Sequence, residues 1–205
     1  MKFDGYTKKI CAIDAALIAP IAEKIKSINW EDASCSRDEP PLVQGKLIEL
    51  PFILVNNTNP SHHTEELVKL CQPIIDLVHK HFPNCIKVRG EVATVPPGKA
   101  LDFHVDPHWF HANCHRIHIP IITNDQCFQL WERPHYREHL EVGYMYEINN
   151  FVYHSAENNG KEYRTHIIID VCDKTLYMDY VHNGGNILDW AWLEPVILPN
   201  KSKPY

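Results

Sequence analysis

The sequence predicts a mainly β fold with flanking helices, of the sandwich or jelly-roll type. Three observations lead there. From about residue 86 the chain reads as short apolar strands separated by turn residues. Before that point, two stretches carry apolar residues near a 3.6-residue period. The length of 205 residues suits one domain with its own core. We therefore expect a single domain over 1–205, with helical and strand support over 1–85, a β core over 86–173 and a C-terminal extension over 174–205.

The first predicted helix spans Asp14 to Ile28, with Leu17, Ile18, Ile21, Ile25 and Ile28 on its stripe and Pro20 starting or kinking it. Glu31 to Pro41 is polar and acidic and reads as a loop; Leu47 to Val55 reads as a buried strand interrupted at Pro51. A second helix runs from Thr64, a suitable N-cap, to His81. Its apolar stripe is Leu67, Leu70, Cys71, Ile74 and Leu77, with Pro73 in the middle. The predicted strands are Ile86–Val95, Cys114–Ile121, Cys127–Trp131, Val142–Ile148 and Tyr163–Val171. Pro96-Pro97-Gly98, Thr123-Asn124-Asp125 and Glu157-Asn158-Asn159-Gly160 supply breaks. The last thirty or so residues give no clear pattern.

Composition excludes several classes. A net charge of −6 with no basic run argues against a nucleic-acid partner. The N-terminus lacks the apolar core of a signal peptide, and no apolar run reaches the length that spans a bilayer. Seven scattered cysteines, with no Cys-x-x-Cys pair, fit reduced thiols in a cytoplasmic protein. Histidine is the unusual count at 14, five of them between positions 104 and 118.

The chemistry sits in His104-Val105-Asp106, His154 and Arg164. Residues i and i+2 of a strand share a face, so His104 and Asp106 can bind one metal together. Two histidines and a carboxylate hold iron(II) on one side and leave the opposite positions open. An arginine opening the apolar strand Arg164-Thr165-His166-Ile167-Ile168-Ile169-Asp170 is costly unless it meets an anion. It can clamp the far carboxylate of an organic acid bidentately. These residues point to an iron(II) and 2-oxoglutarate-dependent oxygenase. Arg116 and His118 share strand parity and face a common cavity, while Ile117, Ile119 and Ile121 pack behind them.

Over residues 86 to 173 the motifs Pro96-Pro97-Gly98, His104-Val105-Asp106, His115-Arg116-Ile117-His118-Ile119-Pro120-Ile121-Ile122-Thr123-Asn124, Glu147-Ile148-Asn149-Asn150, His154, Glu157-Asn158 and Arg164 to Asp170 occur in order. In this the chain resembles the aspartyl/asparaginyl β-hydroxylase family. The resemblance implies a double-stranded β-helix, cupin-like, with Fe(II), 2-oxoglutarate and O2. It makes His104, Asp106 and His154 the metal ligands, as in members that keep a carboxylate at the middle position. It matches Arg164 to the residue holding the distal carboxylate of the cosubstrate, and places Arg116 and His118 beside that cosubstrate. Ala93 stands where the animal enzyme uses a serine. The implied reaction is hydroxylation of an amino acid or of a peptidyl aspartate, asparagine or proline, releasing succinate and CO2, with ascorbate as a candidate reductant. A small molecule or short peptide is the expected substrate, since no helical repeat module is present to offer a protein. Asp106 occupies the position a halide would need, which disfavours halogenation.

The remaining histidines read blandly. His108 and His111 flank Trp109-Phe110 in a loop, as surface or packing residues. His115 faces away from Arg116, and His166 shares the face of Arg164 as a supporting or core residue. His62 and His63 read as exposed, and Trp131-Glu132-Arg133-Pro134 as a solvated hairpin tip. The rival from another class is a non-catalytic cupin-like barrel that binds a metal or small ligand, but it has no need of Arg164. A zinc hydrolase fits poorly without a general-base glutamate.

Overall fold

The computed structural model describes residues 5–30, 46–50, 62–106, 108–132 and 135–189. The expected loop from Glu31 to Pro41, the strand beyond Leu50, and Arg133-Pro134 of the expected hairpin tip lie outside them. The elements, in chain order, are β1 (Thr7–Ala12), α1 (Ala15–Lys26), β2 (Lys46–Leu50), α2 (His62–His81), β3 (Cys85–Val95), β4 (Lys99–Ala100), α3 (Trp109–Asn113), β5 (Cys114–Ile122), β6 (Cys127–Trp131), β7 (Tyr136–Glu138), β8 (Tyr144–Ile148), β9 (His154–Asn158), β10 (Arg164–Asp173) and α4 (Lys174–His182).

Two antiparallel sheets result. The larger runs β1-β8-β5-β10-β3-β2 and the smaller β4-β9-β6-β7. Strand parity divides β5 and β10 into two faces. Ile117, Ile119, Ile167, Ile169 and Val171 turn outward and are buried under the helices, in one cluster with Ile18, Ile21 and Ile25 of α1 and Leu67, Cys71, Ile74, Ile75 and Val78 of α2. Each such side chain removed from water contributes about 1.5–3 kcal/mol. The opposite parity puts Arg116, His118, Arg164, His166 and Asp170 on the inner face, toward the smaller sheet. A second apolar cluster, including Tyr6, Trp131, Leu140, Tyr146, Ile148 and Val152, closes one side of that interior.

Local chemistry accounts for the helix ends. The Asp14 carboxylate accepts from the Ala16 N–H at 2.9 Å and starts α1, and the Ser27 hydroxyl donates to the Lys24 carbonyl at 2.7 Å and ends it. Pro20 and Pro73 both lie inside helices that continue past them. The second helix starts at His62, two residues before the expected Thr64 cap. Pro96-Pro97-Gly98 turns as expected: the Lys99 N–H donates to the Pro96 carbonyl, and Gly98 has φ +67°, the position of a type II turn that favours glycine.

Several expectations need correction. Trp109-Phe110-His111 is the body of α3, not a loop. Glu157-Asn158 closes β9, so the break begins only at Asn159. The predicted strand from Val142 starts at Tyr144, because Gly143 takes φ +91°. β1 and α4 were not expected. β1 pairs with β8 along the sheet edge, and its burial does not alternate regularly because a bulge falls between Lys9 and Cys11.

Candidate metal and anion site

His104 and His154 are brought together by the backbone itself. They form a bridge in which each N–H donates to the other's carbonyl, at 3.0 and 2.9 Å. Residues paired this way point to the same face, so the rings lie side by side with centroids 4.6 Å apart. Asp106, two residues on, joins them. One potential ligand atom from each of the three lies within 4.8 Å of the others. The His154 Nε2 to Asp106 Oδ2 distance is 3.8 Å.

The tautomers are set from behind. His104 Nδ1 lies 2.7 Å from the Asp102 carbonyl, and His154 Nδ1 lies 2.9 Å from that of Val152. A carbonyl only accepts, so each Nδ1 carries a proton, and the neutral tautomer of either ring leaves its lone pair on Nε2. Burial, partly opposed by Asp106, pushes His154 down to about 4, so it is neutral at ordinary pH. Asp106 is ionised: burial alone would raise its pKa, but Arg116, His111, His154 and His104 hold it well below the usual carboxylate range. Two imidazole lone pairs and a carboxylate, backed by carbonyl hydrogen bonds, form a donor set suited to a divalent iron-type ion.

Arg116 anchors this end. Its Nε and one terminal nitrogen donate to the two oxygens of Asp170, both at 2.9 Å, and its other terminal nitrogen donates to Asp106 Oδ2 at 2.7 Å. Asn150 Nδ2 also donates to Asp106 Oδ2, at 3.2 Å, and to the His111 carbonyl. Asp170 pairs in register with Arg116 on β5 and with Arg89 on β3, and Arg89 forms a buried ion pair with Glu91. The cluster therefore holds two arginines against Glu91, Asp106 and Asp170. Among the described residues one negative charge is in excess, which a cation would neutralise.

The far end has the opposite imbalance. Arg164 is 5% exposed, and its guanidinium donates to the neutral amide oxygen of Gln129 at 3.2 Å. No carboxylate pairs with it among the described residues, and burial lowers it to about 10. Beside it, His118 and His166 meet edge to face with centroids 5.7 Å apart. His118 Nδ1 and both ring nitrogens of His166 are buried without a hydrogen-bond partner among the described residues. Burial, helped by Arg164, pushes both imidazoles well below their ordinary value. On the inner face His118 pairs with Ile168, between the Arg116–Asp170 pair and the Pro120–His166 pair, so it lies between the two ends. An unpaired guanidinium and orphaned imidazoles among buried groups fit a bound carboxylate.

The structure thus brings His104, Asp106 and His154 into one cluster and sets His118 and Arg164 along the same inner face. Arg116, expected beside the cosubstrate, directs three donors to Asp106 and Asp170. Thr94 faces away from the site, bonded to the Thr165 hydroxyl and the Arg164 carbonyl, while Ala93 lies on the inner face opposite His166. His111 is buried near Asp106 rather than at the surface, and His115 faces outward onto Glu147 at 2.6 Å. Sequence reasoning missed Asp170, Asn150 and Gln129. The parity from Arg164 through His166 to Asp170 could have found the first; nothing local marks the other two.

Comparisons with known proteins bear on the family and the fold. The sequence profile described as Aspartyl/Asparaginyl beta-hydroxylase matches residues 44–174. No curated protein matches the sequence. Among solved structures, a 2OG-Fe(II) oxygenase family oxidoreductase from Burkholderia pseudomallei is 14% identical with a TM-score of 0.53, covering 82% of this chain and 85% of that one. A prolyl hydroxylase from Trichoplax adhaerens, in complex with a hypoxia inducible factor peptide fragment, is 11% identical with a TM-score of 0.56, over 82% and 84%. A prolyl-4-hydroxylase from Pseudomonas putida is 9% identical with a TM-score of 0.51, over 82% and 93%. At such identities these structures establish the shared jelly-roll fold.

Proposed function

This chain belongs to the aspartyl/asparaginyl β-hydroxylase family, whose profile covers residues 44–174, and from that premise we propose how its residues serve a 2-oxoglutarate- and Fe(II)-dependent hydroxylase and what it acts on. His104, Asp106 and His154 hold the iron. Arg164 and His118 hold 2-oxoglutarate, with the distal carboxylate on the Arg164 guanidinium and His118 beside the metal-proximal carboxylate. When bound, iron with 2-oxoglutarate and dioxygen supplies the oxidising power for a C–H hydroxylation that yields succinate and CO2. Ascorbate is the reductant that keeps the iron ferrous.

The protein's own contribution is positional and electrostatic. The carbonyls of Asp102 and Val152 fix both Nε2 lone pairs toward one point. Arg116 and Asn150 hold Asp106 in a single orientation. Arg164, in a water-poor interior, interacts with a carboxylate more strongly than it could in water. The substrate is an amino acid, free or in a short peptide, of the aspartate, asparagine or proline type, and the whole chain works as one domain in the cytoplasm. Among the described residues no helix is long and apolar enough to cross a membrane.

The observation that carries this reading is the opposite charge imbalance of the two ends, one excess carboxylate at the metal cluster and one unpaired guanidinium beyond it. The test is a screen of amino acids and short peptides with Fe(II), 2-oxoglutarate, ascorbate and air. The expected result is a product heavier by one oxygen, formed one-for-one with succinate. Succinate release with no oxygenated product across free amino acids and peptides would remove the substrate assignment.

A further inference from the structure

Resting on that reading of the distal end, we propose that His166 is a second ligand of the cosubstrate's distal carboxylate, its ring N–H donating to an oxygen of the carboxylate that Arg164 holds, and that it makes the site selective for dicarboxylic oxo acids. His166 and Arg164 are two residues apart on β10 and share its inner face, about 6.6 Å apart along the strand. His166 is 1% exposed, yet neither ring nitrogen has a hydrogen-bond partner among the described residues. Its cross-strand neighbours explain why. It pairs with Ala93 on β3 and Pro120 on β5, and neither side chain offers a hydrogen-bonding group. A buried imidazole left wholly unsatisfied costs about 1–3 kcal/mol, so such a group calls for a ligand or another use.

The surroundings select an anion. Arg164 shares the strand face of His166, His118 meets its ring edge to face with centroids 5.7 Å apart, and His139 adds a further imidazole within electrostatic reach; His139 itself is tied through Nδ1 to the Cys127 carbonyl. Gln129 supplies the one side-chain acceptor described at this end, and Arg164 already uses it. No carboxylate among the described residues pairs with Arg164 or His166. A neutral imidazole keeps one N–H donor, enough for one carboxylate oxygen, while the guanidinium forks onto the group from beside it. A mono-acid such as 2-oxobutyrate has nothing to present there, so His166 contributes nothing to its binding.

The test is calorimetric titration of Mn(II)-loaded protein, which does not turn over, with 2-oxoglutarate and separately with 2-oxobutyrate. His166→Leu should weaken 2-oxoglutarate about ten- to a hundredfold, as expected for one lost hydrogen bond to a charged group. 2-Oxobutyrate affinity should stay within about twofold, an effect a merely structural role would not produce. His166→Gln, which keeps an N–H, should recover most of the loss. So should Ala93→Ser added to His166→Leu, because it returns a donor to the facing position. His166→Ala carries the same expectation if the leucine variant does not fold. The proposal is overturned if these variants bind 2-oxoglutarate as the parent does, or lose both acids in equal measure. A parent protein that does not distinguish the two acids at all would instead overturn the placement of the distal carboxylate on Arg164.

Discussion

The metal end and the anion end of the interior meet along β5 and β10 and solve opposite problems. At the metal end every charged group is tied: Arg116 to Asp106 and Asp170, Arg89 to Glu91, Asp106 again to Asn150. The network is complete except for one negative charge. At the other end Arg164 and His166 are held almost bare, with Gln129 as the single acceptor among the described residues. Rigidity suits a site that must hold three ligands at fixed geometry. Open valence suits a site that must take up and release an organic acid in each cycle. The contrast shows that burial does not by itself signal a structural role; what distinguishes the ends is whether the buried groups already have partners.

Substitutions should separate the two ends. The largest effect belongs to the ligands: Asp106→Ala or His154→Ala should abolish succinate formation and metal binding while the far-ultraviolet circular dichroism of the fold is kept. Retained iron affinity in both variants would break the metal assignment. Next comes Arg164→Lys. Exchanging a planar fork for a point charge should weaken 2-oxoglutarate about tenfold or more and leave metal affinity unchanged; equal loss of both would mean that the two ends are not independent. Asn150→Ala, which loosens Asp106, should cost about tenfold in metal affinity, read by competition with a chelating dye, with little change at the anion end.

Acid should act on both ends in one direction. His154 is lowered to about 4 in the folded protein, and His118 and His166 are lowered as well. A histidine depressed on folding binds more protons when unfolded, so stability rises with pH across the gap. The metal-free protein should therefore be fully stable above about pH 6.5 and lose up to about 1.4 kcal/mol per pH unit per histidine on acidification toward 4. Urea midpoints at pH 7.5, 6 and 5 would read this, and a midpoint independent of pH would contradict the neutral buried imidazoles.

Much of the architecture was legible because β-strand parity is a local property. The alternation of Arg116, His118 and Pro120 with Ile117, Ile119 and Ile121 already separates a polar face from the face the helices cover. His104 and Asp106 were legible through i, i+2 spacing. What local pattern could not supply was pairing. The bridge between His104 and His154 spans fifty residues, and the bidentate grip of Asp170 on Arg116 depends on register between distant strands. Parity put Arg116 on the inner face, but its ties to Asp106 and Asp170 depend on that distant pairing and were not legible locally. α3 went unseen because five residues are too few for a helical period, and its His111 reaches Asp106 only through that turn.

The central claim is that one interior accepts a cation at His104, Asp106 and His154 and a dicarboxylic oxo acid between them and Arg164. It is tested most directly by anaerobic absorption spectroscopy of the protein titrated with Fe(II) and then 2-oxoglutarate, followed by admission of air. A weak visible charge-transfer band that needs both additions, is lost in Asp106→Ala, shifts to higher 2-oxoglutarate concentration in Arg164→Lys and gives way to succinate in air is the predicted result. Iron binding with no band on adding 2-oxoglutarate, and no succinate afterwards, would contradict it.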